Sequence, residues 1–312
     1  MLSFLLVWNP YIALPIAGGV LLVVLVWWIA VKVARHRHDK LLEKQVQEEL
    51  AQRGIEARFV RTEAPGHATT LAAEATALQD CSGVVAVGGD GTAFEVACGL
   101  MNTGVPMGIV PAGTGNDFIK SVKTPKKPMK ALAHILEGKP RPVDVGGLND
   151  RLFLNVCGTG FDVTVLDYTL AAKKYVRGIF PYLIGLVRGI FHYKPVHVRF
   201  TADGATQERD VLICAVANGR YFGGGIPICP DAEPDDGLLD LVVVENKPRW
   251  VIPFYVPGLL LGRVLKFKIT EHKRCQSVEI LSKGMRLNID GEIKPMDEAA
   301  FSIRRGMLQL FW

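Results

Sequence analysis

The chain lacks several features that would assign it to a class at once. Its six cysteines form no Cys-x-x-Cys pair, so the sequence indicates neither a zinc site nor a disulfide framework, and a reducing compartment is expected. No stretch of lysine and arginine alternates with aromatic residues, which argues against a nucleic-acid partner. The net charge of +5 is mild and indicates anionic surfaces or phosphates. With 312 residues, 49% of them apolar, the chain is long enough for two domains.

Charge is also absent from residues 1–31. Their stretch AGGVLLVVLVWWIAV is apolar around a whole helix, and with the preceding YIALPI it reaches the roughly 20 residues of a bilayer span. Basic residues follow at Lys32, Arg35, Arg37 and Lys40. We therefore predict a membrane-spanning anchor over residues 1–33, a single-pass transmembrane helix in the cell inner membrane with the remainder of the chain in the cytoplasm. A buried core helix is the alternative, since a cleaved signal peptide would need charge before the apolar run.

The rest of the chain changes character once. Up to about residue 141, helical stretches alternate with short apolar strands such as VVAV and MGIV, the pattern of a parallel sheet with helices on its faces. From about Val143, short strands are separated by Asp-Gly and Gly-Gly turns, which indicates a β-sandwich-rich domain. We predict an α/β domain over residues 34–141, with 305–312 as a candidate segment that completes it, and a β-rich domain over 142–304. An exposed edge strand in the second domain could pair two subunits into a homodimer.

The stretch VVAVGGDGTAFEV, residues 84–96, places three glycines and an aspartate at the end of an apolar strand. Glycine loses conformational entropy on folding, so Gly88, Gly89 and Gly91 indicate a required backbone shape or a ligand close to the backbone. Ligands of open parallel sheets bind at the carboxyl ends of strands, and the amides that begin the next helix favour phosphate. Thr92 and Glu95 also have the spacing of a capping box, and a cap alone is the alternative explanation for those two residues.

A second glycine-rich turn, PAGTGNDF at residues 111–118, follows the next apolar strand. The succession of G-G-D-G-T and P-x-G-T-G-N-D-F resembles the diacylglycerol kinase catalytic domain of the bacterial lipid kinase family. Four further motifs match that family in the same order: TEAPGHA at 62–68, NVCGTGFD at 155–162, PDAEPDDGLLD at 230–240 and DGE at 290–292. The resemblance covers roughly residues 47–312. It implies that residues 34–141, completed by 305–312, are a nucleotide-binding α/β domain of the NAD kinase and diacylglycerol kinase type, and that residues 142–304 are a β-rich lipid-substrate domain.

The resemblance also implies an activity, in which the γ-phosphate of ATP is transferred to a lipid hydroxyl in the presence of Mg²⁺. It implies that Asp236, with the backbone carbonyls of Glu233 and Leu238, binds a structural Mg²⁺. Asp290 or Glu292 is then the acceptor of the hydroxyl proton. Asp90 links the catalytic metal to the phosphate seat, which is the glycine-rich turn of residues 88–92 with the first amides of the next helix. Carried over by motif, the ATP-binding residues are Thr62, Gly88, Gly89, Asp90, Gly91, Thr92, Ala93, Phe94, Gly113, Thr114, Asn116 and Asp117.

The residues themselves leave alternatives open. Without the family, Asp290-Gly291 is most simply a hairpin turn, and Asp236-Gly237 a turn before the strand LLDLVVV. The family usually begins with a strand and an N-P-x-S-G turn. Here Asn9-Pro10 lies far upstream without the Ser-Gly, so that loop is either lost with the first strand or displaced by an insertion.

Inside the phosphate seat, Ala93-Phe94 replaces the usual Ile-Asn. These two departures motivate a second hypothesis, a catalytically weak lipid-binding regulatory homologue. A third is an NAD kinase, since those enzymes share G-G-D-G-T.

Two apolar segments favour a lipid substrate and a membrane partner. Residues 173–199 mix aromatic and aliphatic residues with lysine and arginine and contain no acidic residue, and residues 250–263, WVIPFYVPGLLLGR, are similarly apolar. A basic, apolar surface of this kind suits an anionic bilayer. Both segments could instead be interior helices of the second domain, because long apolar stretches are normally core.

Overall fold

A computed structural model describes Phe4–Val7 and residues 33–176 and 180–312. The chain divides into two compact units, one of Met1–Val143 with Gly306–Trp312 and one of Asp144–Arg305. The first unit is α/β and the second is β-rich, as the sequence predicts. Two strands, Pro140–Leu148 and Glu298–Phe311, pass along the chain from one unit into the other.

The first unit alternates helices and strands around one sheet. Its elements are β1 (Phe4–Val7), α1 (Val33–Gln52), β2 (Arg58–Arg61), α2 (His67–Thr76), β3 (Val84–Gly88), α3 (Asp90–Leu100), β4 (Met107–Pro111), α4 (Asp117–Ser121) and α5 (Pro128–Glu137). The strands lie in the order β4-β3-β1-β2, with β3 and β4 parallel and β1 antiparallel to both of its neighbours. At the other side of β4, Leu310 pairs in parallel with Met107.

Helices cover this sheet because its central strands are apolar at every position. All residues of β3 and β4 are buried, as expected for parallel strands with helices on both faces. Leu42, Val46 and Leu50 of α1 recur every four residues and pack in one cluster with Val85 and Val87 of β3. The helix ends at Gln52, shortly before Gly54, whose φ of 68° suits a glycine at a helix end.

The second unit is built mainly from antiparallel strands. Its elements are β5 (Pro140–Leu148), β6 (Arg151–Phe153), β7 (Val156–Gly160), α6 (Phe161–Ala172), α7 (Phe180–His192), β8 (Val196–Ala202), β9 (Ala205–Ala217), β10 (Tyr221–Phe222), β11 (Ile226–Pro227), β12 (Leu239–Glu245), α8 (Ile252–Leu260), β13 (Thr270–Cys275), β14 (Ser277–Leu281), β15 (Arg286–Ile289), β16 (Glu292–Pro295) and β17 (Glu298–Phe311). The long strand β9 pairs with β8 along its first half and with both β7 and β12 along its second.

The predicted N-terminal transmembrane helix is wrong for the residues that the structure describes. Phe4–Val7 form strand β1, which pairs with Arg58–Arg61 and with residues 84–87. A strand bonds its backbone groups to its neighbours, so these residues cannot belong to a helix that satisfies its own. Within residues 4–7, 33–176 and 180–312, no helix is long and apolar enough to cross a membrane. The predicted single-pass inner-membrane placement is corrected with it, and residues 8–32 of the predicted anchor lie outside the described residues.

Strand β1 also bears on the N-P-x-S-G turn that usually follows the first strand of the family. A first strand is present, so the loop was not lost together with it. Val7 pairs with Val84, at the opposite end of β3 from Gly88. Asn9-Pro10 lies outside the described residues.

Candidate active site

Three strand ends of the first unit meet at one edge of its sheet. Strand β2 runs in the same direction as β3, because both are antiparallel to β1, and β4 is parallel to β3. The carboxyl ends of β2, β3 and β4 therefore bring together Thr62, residues 88–90 and residues 112–116. This is the edge at which open sheets bind their ligands.

The two glycine-rich turns contact each other through Gly113. The amide of Ala112 donates to the carbonyl of Gly88 at 2.8 Å. A Cβ on Gly113 would lie 2.5 Å from Cα of Gly89 and 2.6 Å from Oδ1 of Asn116, closer than Cβ atoms approach other groups. Glycine is therefore required at position 113 by the approach of one turn to the other.

Asp90 joins the same two turns through its side chain. Its Oδ1 accepts a hydrogen bond from the amide of Phe118 at 3.1 Å. Burial, and next the negative charge of Asp117, raise the pKa of Asp90 to about 6. Asp117 is itself buried, and its Oδ1 accepts from Nζ of Lys120 at 3.0 Å. Asp90 is thus an acidic group in the seat that the two turns form.

Helix α3 begins at Asp90, two residues earlier than the predicted start at Thr92. Its N-cap residue, Gly89, makes no side-chain cap, and the capping box with Glu95 does not form. Instead, Oε2 of Glu95 accepts from the amide of Ala68 at 3.2 Å, because α2 packs closely on α3. The positive end of the α3 dipole therefore lies at Gly89, the residue that Gly113 contacts, and favours an anion there.

The other predicted nucleotide residues lie around these turns. Gly91 is exposed, and a Cβ placed on it would meet no atom within 4 Å. Asn116 has a left-handed φ of 51°, and its Nδ2 donates to the carbonyl of Gly113 at 2.9 Å. Thr62 is buried, and its Oγ1 has no hydrogen-bond partner within the described part of the chain. Thr92, Ala93 and Phe94 lie in the first turns of α3, and Thr114 is exposed.

In the second unit, Asp290 binds the β15–β16 hairpin to the start of the NVCGTGFD motif. Its Oδ2 accepts from the amide of Leu154 at 2.6 Å, and its Oδ1 accepts from the amides of Asn155 and Val156 at 3.0 and 2.9 Å. Asp290 and Gly291, with φ values of 47° and 98°, form the two-residue turn of the hairpin. The hairpin reading of the sequence therefore agrees with this geometry, and the amide bonds occupy both carboxylate oxygens.

Glu292 has different surroundings from Asp290. It is the first residue of β16, and its side chain is 74% exposed. Its Oε2 lies 3.2 Å from Nζ of Lys294. Of the two predicted proton acceptors, Glu292 is the one whose carboxylate is open to a substrate.

The predicted Mg²⁺ loop, residues 230–240, is held by arginines and backbone groups. Asp236 forms an ion pair with Arg274, and its Oδ1 also accepts from the amide of Leu238 at 2.9 Å. Oε1 of Glu233 lies 3.9 Å from Nη2 of Arg220. The Asp236 carboxylate is the only anionic ligand of the predicted site, and Arg274 already neutralises it. The residues as arranged therefore do not fit a bound Mg²⁺.

Sequence reasoning missed two residues that organise this part of the second unit. Asp144 is buried, and its Oδ2 accepts from the amide of Gly237 at 2.6 Å. Nδ2 of the buried Asn218 donates to the carbonyls of Asp144 and Leu154 at 3.0 and 2.8 Å. All three hydrogen bonds join residues far apart in the chain, so spacing in the sequence gives no signal of them.

Helix α7 presents an apolar face outward. Its glycines face α6: a Cβ on Gly185 would lie 2.2 Å from Oγ1 of Thr169, and one on Gly189 would lie 2.7 Å from Cγ2 of Val165. The opposite side exposes its large apolar side chains, namely Phe180, Leu183, Ile184, Val187 and Phe191. Around α8, the exposed apolar residues are Trp250, Phe254, Leu260 and Leu261. The two helices thus agree in part with each prediction, that of interior helices and that of an apolar surface, because one side packs in the core and the other is apolar and exposed.

Comparison with known proteins matches both units of the chain. The family of the diacylglycerol kinase catalytic domain matches residues 31–148, and that of the YegS C-terminal NAD kinase beta sandwich-like domain matches residues 155–312. A "Probable lipid kinase YegS-like" protein of Pseudomonas putida is 35% identical over 248 residues, which cover 78% of this chain and 81% of that protein. A diacylglycerol kinase of Mycobacterium tuberculosis is 31% identical over 217 residues, 67% of this chain and 70% of that protein.

A crystal structure of a diacylglycerol kinase from Bacillus anthracis shares the fold, with a TM-score of 0.64 and 23% identity over 82% of this chain and 85% of that chain. The two family matches and the curated relatives confirm the resemblance seen in the sequence over both units. The chain belongs to the diacylglycerol kinase catalytic domain family, and it is a lipid kinase.

Proposed function

We propose that this kinase transfers the γ-phosphate of ATP to the hydroxyl of diacylglycerol or a related lipid at a membrane surface. ATP binding is supported by one observation, the contact between the two glycine-rich turns. The turns approach closely at Gly113, and Asp90 of the first accepts a hydrogen bond from the amide of Phe118 after the second. Such turns, together with the α3 N-terminus, suit the phosphates of a nucleotide. Family membership supplies the lipid acceptor as the expected substrate class.

In this proposal the chain supplies positioning and a proton acceptor. The bound nucleotide supplies the phosphoryl group. The seat residues, which are Gly88, Gly89, Gly91, Gly113 and Asn116, hold the phosphates with backbone groups, and Asp90 keeps the two turns in register. The lipid oxygen forms a bond to the γ-phosphorus, the bond from that phosphorus to ADP breaks, and the hydroxyl proton passes to a carboxylate.

We assign the proton acceptor to Glu292 and a positioning role to Asp290. Glu292 is exposed and bonded only to the flexible side chain of Lys294 among the contacts described, so it can turn toward a substrate. Asp290 accepts hydrogen bonds from three backbone amides, which hold both of its carboxylate oxygens in place. Because Asp290 precedes Glu292 by two residues, its clamp fixes the backbone from which Glu292 projects.

The outward face of α7 supports docking on a lipid bilayer. A helix of a protein in water usually turns its large apolar residues inward, but here glycines contact α6 while leucine, isoleucine, valine and phenylalanine face outward. Lys173 and Arg188 lie over the rings of Tyr182 and Tyr168 in the same helical pair, which places cations beside the apolar residues. Apolar groups flanked by cations suit an anionic bilayer surface.

The nucleotide half is tested by Gly91→Ala. A Cβ at this exposed helical position meets no protein atom, so the variant should be as stable as the parent or more stable by about 0.5–1 kcal/mol. The same methyl group occupies space beside the predicted phosphates, so the KM for ATP should rise more than about tenfold, equivalent to 1.4 kcal/mol. Thermal unfolding without nucleotide is the control. An unchanged KM would place the nucleotide elsewhere.

The acceptor is tested by incubating the protein with labelled ATP, Mg²⁺ and extracted membrane lipids. Labelled lipid that is lost in Glu292→Gln supports the proposal and identifies the acceptor by chromatography. Label transferred to added NAD and not to lipid would indicate an NAD kinase. Absence of any label in a folded protein would favour the regulatory homologue.

The membrane surface is tested by flotation with phosphatidylglycerol vesicles. Leu183→Glu with Val187→Glu should abolish flotation, since both side chains are exposed on α7. The matched control is Leu281→Glu, an exposed leucine of β14 in the same unit. Equal flotation of the two variants would contradict the assignment of this face.

A further inference from the structure

Three side chains of different chemistry converge in the second unit, outside the kinase motifs' expected metal site. They are Cys229, which follows β11, Asp240 of β12 and His272 of β13, and their ligand atoms all lie within 4.8 Å of one another. In the antiparallel pair β12–β13, Val242 is opposite His272 and Asp240 is opposite Arg274. Asp240 and Val242 point to the same side of the sheet, so His272 is the diagonal neighbour of Asp240 on that side.

The distances are close to those of a coordinated metal ion. Nε2 of His272 lies 2.6 Å from Oδ1 of Asp240 and 3.9 Å from Sγ of Cys229. Ligands around tetrahedral zinc are roughly 3.3–3.6 Å apart, given Zn–N and Zn–O bonds of about 2.0–2.1 Å and Zn–S of about 2.3 Å. A shift of under about 1 Å in the His272 side chain brings both of its separations into that range, and the ligand atoms of Cys229 and Asp240 lie within 4.8 Å of each other.

The burial and charge of the three residues also suit a cation. Cys229 and Asp240 are almost completely buried, and the His272 side chain is 23% exposed, which leaves a route from solvent. A further carboxylate, that of Asp231, is near enough to act electrostatically on both Cys229 and His272. The neighbouring cations are engaged elsewhere, since Arg274 pairs with Asp236 and Lys273 donates to the carbonyl of Ala202 at 2.7 Å.

We propose that Cys229, Asp240 and His272 bind a zinc-type transition-metal ion, with water in the fourth position. Thiolate and imidazole ligands favour Zn²⁺ or Co²⁺ over Mg²⁺ and Ca²⁺, which prefer oxygen. Binding releases the thiol proton of Cys229 to solvent, and the thiolate, the carboxylate and the divalent ion together carry no net charge. The competing arrangement is an Asp240–His272 ion pair with Cys229 as an apolar neighbour.

The position of the site gives it a structural consequence. Cys229 immediately precedes the loop of residues 230–238, and Asp240 is the second residue of β12, which follows that loop. A metal ion on both residues would fasten the two ends of this loop to each other and, through His272, to β13. The loop carries Glu233 and Asp236, so a bound ion would order the loop independently of the ion pair between Arg274 and Asp236.

Cobalt substitution tests the site in the full chain. The protein is stripped with a chelator and titrated with Co²⁺, whose thiolate complexes absorb in the near ultraviolet through charge transfer. We expect one Co²⁺ per chain with this band, displacement by Zn²⁺ and no displacement by Mg²⁺. Cys229→Ala should abolish the band, and Cys275→Ala, which removes another buried cysteine of the same unit, should leave it unchanged.

A second variant covers the case in which Cys229→Ala fails to fold. His272→Gln replaces a partly exposed side chain and should weaken Co²⁺ binding by more than about 100-fold, beyond the 10–100-fold that supporting residues of metal sites contribute. Absence of the charge-transfer band in the parent protein, or its persistence in Cys229→Ala, would overturn the proposal and leave the ion pair. Unchanged affinity in His272→Gln would do the same.

Discussion

The two units use glycine and aspartate in opposite ways around their motifs. In the first unit, Gly89 and Gly113 let two backbone turns touch, and one carboxylate, that of Asp90, reaches across to the other turn. In the second unit, the carboxylates of Asp144 and Asp290 are bonded to backbone amides from distant parts of the chain. Backbone groups thus form the surface of the first unit's site, while side chains hold the backbone of the second unit in place.

This difference predicts which substitutions should impair ligand binding and which should lower stability. A substitution in the glycine turns changes the shape of the seat and leaves the core intact. A substitution of a clamping carboxylate leaves buried amides without partners and lowers the stability of the whole unit. The following predictions test that contrast, in order of decreasing expected free-energy change.

Asp290→Asn should give the largest loss of stability. Asn-Gly suits the same hairpin turn, so the turn itself is kept, but the asparagine NH₂ cannot accept from the Leu154 amide and the charge is lost. We expect a decrease of about 3–4 kcal/mol in the free energy of unfolding, from the weakening of hydrogen bonds worth about 1.5–3 kcal/mol each. Urea denaturation measures it. A loss below about 0.5 kcal/mol, as for an ordinary surface site, would reduce Asp290 to a turn residue.

Asp162→Asn should instead stabilise the protein near neutral pH. Burial raises the pKa of Asp162 to about 6 from an ordinary 3.8, so above pH 6 the folded state carries an ionised carboxylate that the unfolded state solvates better. The penalty is absent below pH 3.8, grows between pH 3.8 and 6, and reaches about 3 kcal/mol, at roughly 1.4 kcal/mol for each pH unit.

Thermal unfolding of Asp162→Asn and of the parent across pH 4–8 measures this effect. The two curves should meet at the acid end and separate by pH 6. Asp150→Asn removes an exposed carboxylate of the same unit and serves as the control. Parallel curves for Asp162→Asn and its parent would show that the Asn288 side chain and the α6 N-terminus compensate the burial completely.

Gly113→Ala should affect binding more than folding. The new Cβ would press on Gly89 and Asn116, and such overpacking typically costs about 1–3 kcal/mol. The two turns must separate to accept it, so the thermal shift produced by ATP should disappear while the protein remains folded. Isothermal titration with ATP beside circular dichroism distinguishes the two effects. Retained ATP affinity would show that contact between the turns is not needed for the seat.

Arg274→Ala should have the smallest effect on stability and the most informative dependence on metal. The Arg274 side chain is about half exposed, so loss of its pair with Asp236 should cost at most about 1 kcal/mol. With Arg274 removed, the Asp236 carboxylate becomes available, and Mg²⁺ should stabilise the variant but not the parent. Arg263→Ala, another exposed arginine of the unit, is the control. Equal stabilisation of the parent by Mg²⁺ would restore the structural magnesium site.

Local sequence patterns correctly predicted the elements whose conformation is set by neighbouring residues in the chain. The apolar runs VVAV and MGIV are strands β3 and β4, and the Asp-Gly pair at 290–291 is a two-residue hairpin. The predicted N-terminal anchor over residues 1–33 is wrong at Phe4–Val7, which form a strand whose partners are at least fifty residues away. Local apolar periodicity cannot reveal a strand partner that is distant in the chain, so the uncharged stretch of residues 1–31 favours an anchor and gives no sign of this strand.

The sequence by itself determined the family and the order of the motifs, because these follow from residue identity and spacing, whereas the requirement for glycine at position 113 follows from a contact between two turns. Only the tertiary structure decided what each acidic side chain touches. It bonded Asp290 to three amides, paired Asp236 with Arg274 and gathered Cys229, Asp240 and His272 from three separate segments. These contacts join separate segments of the chain. Folding removes water from the acidic side chains, and an unpaired buried charge is then so costly that it requires a partner.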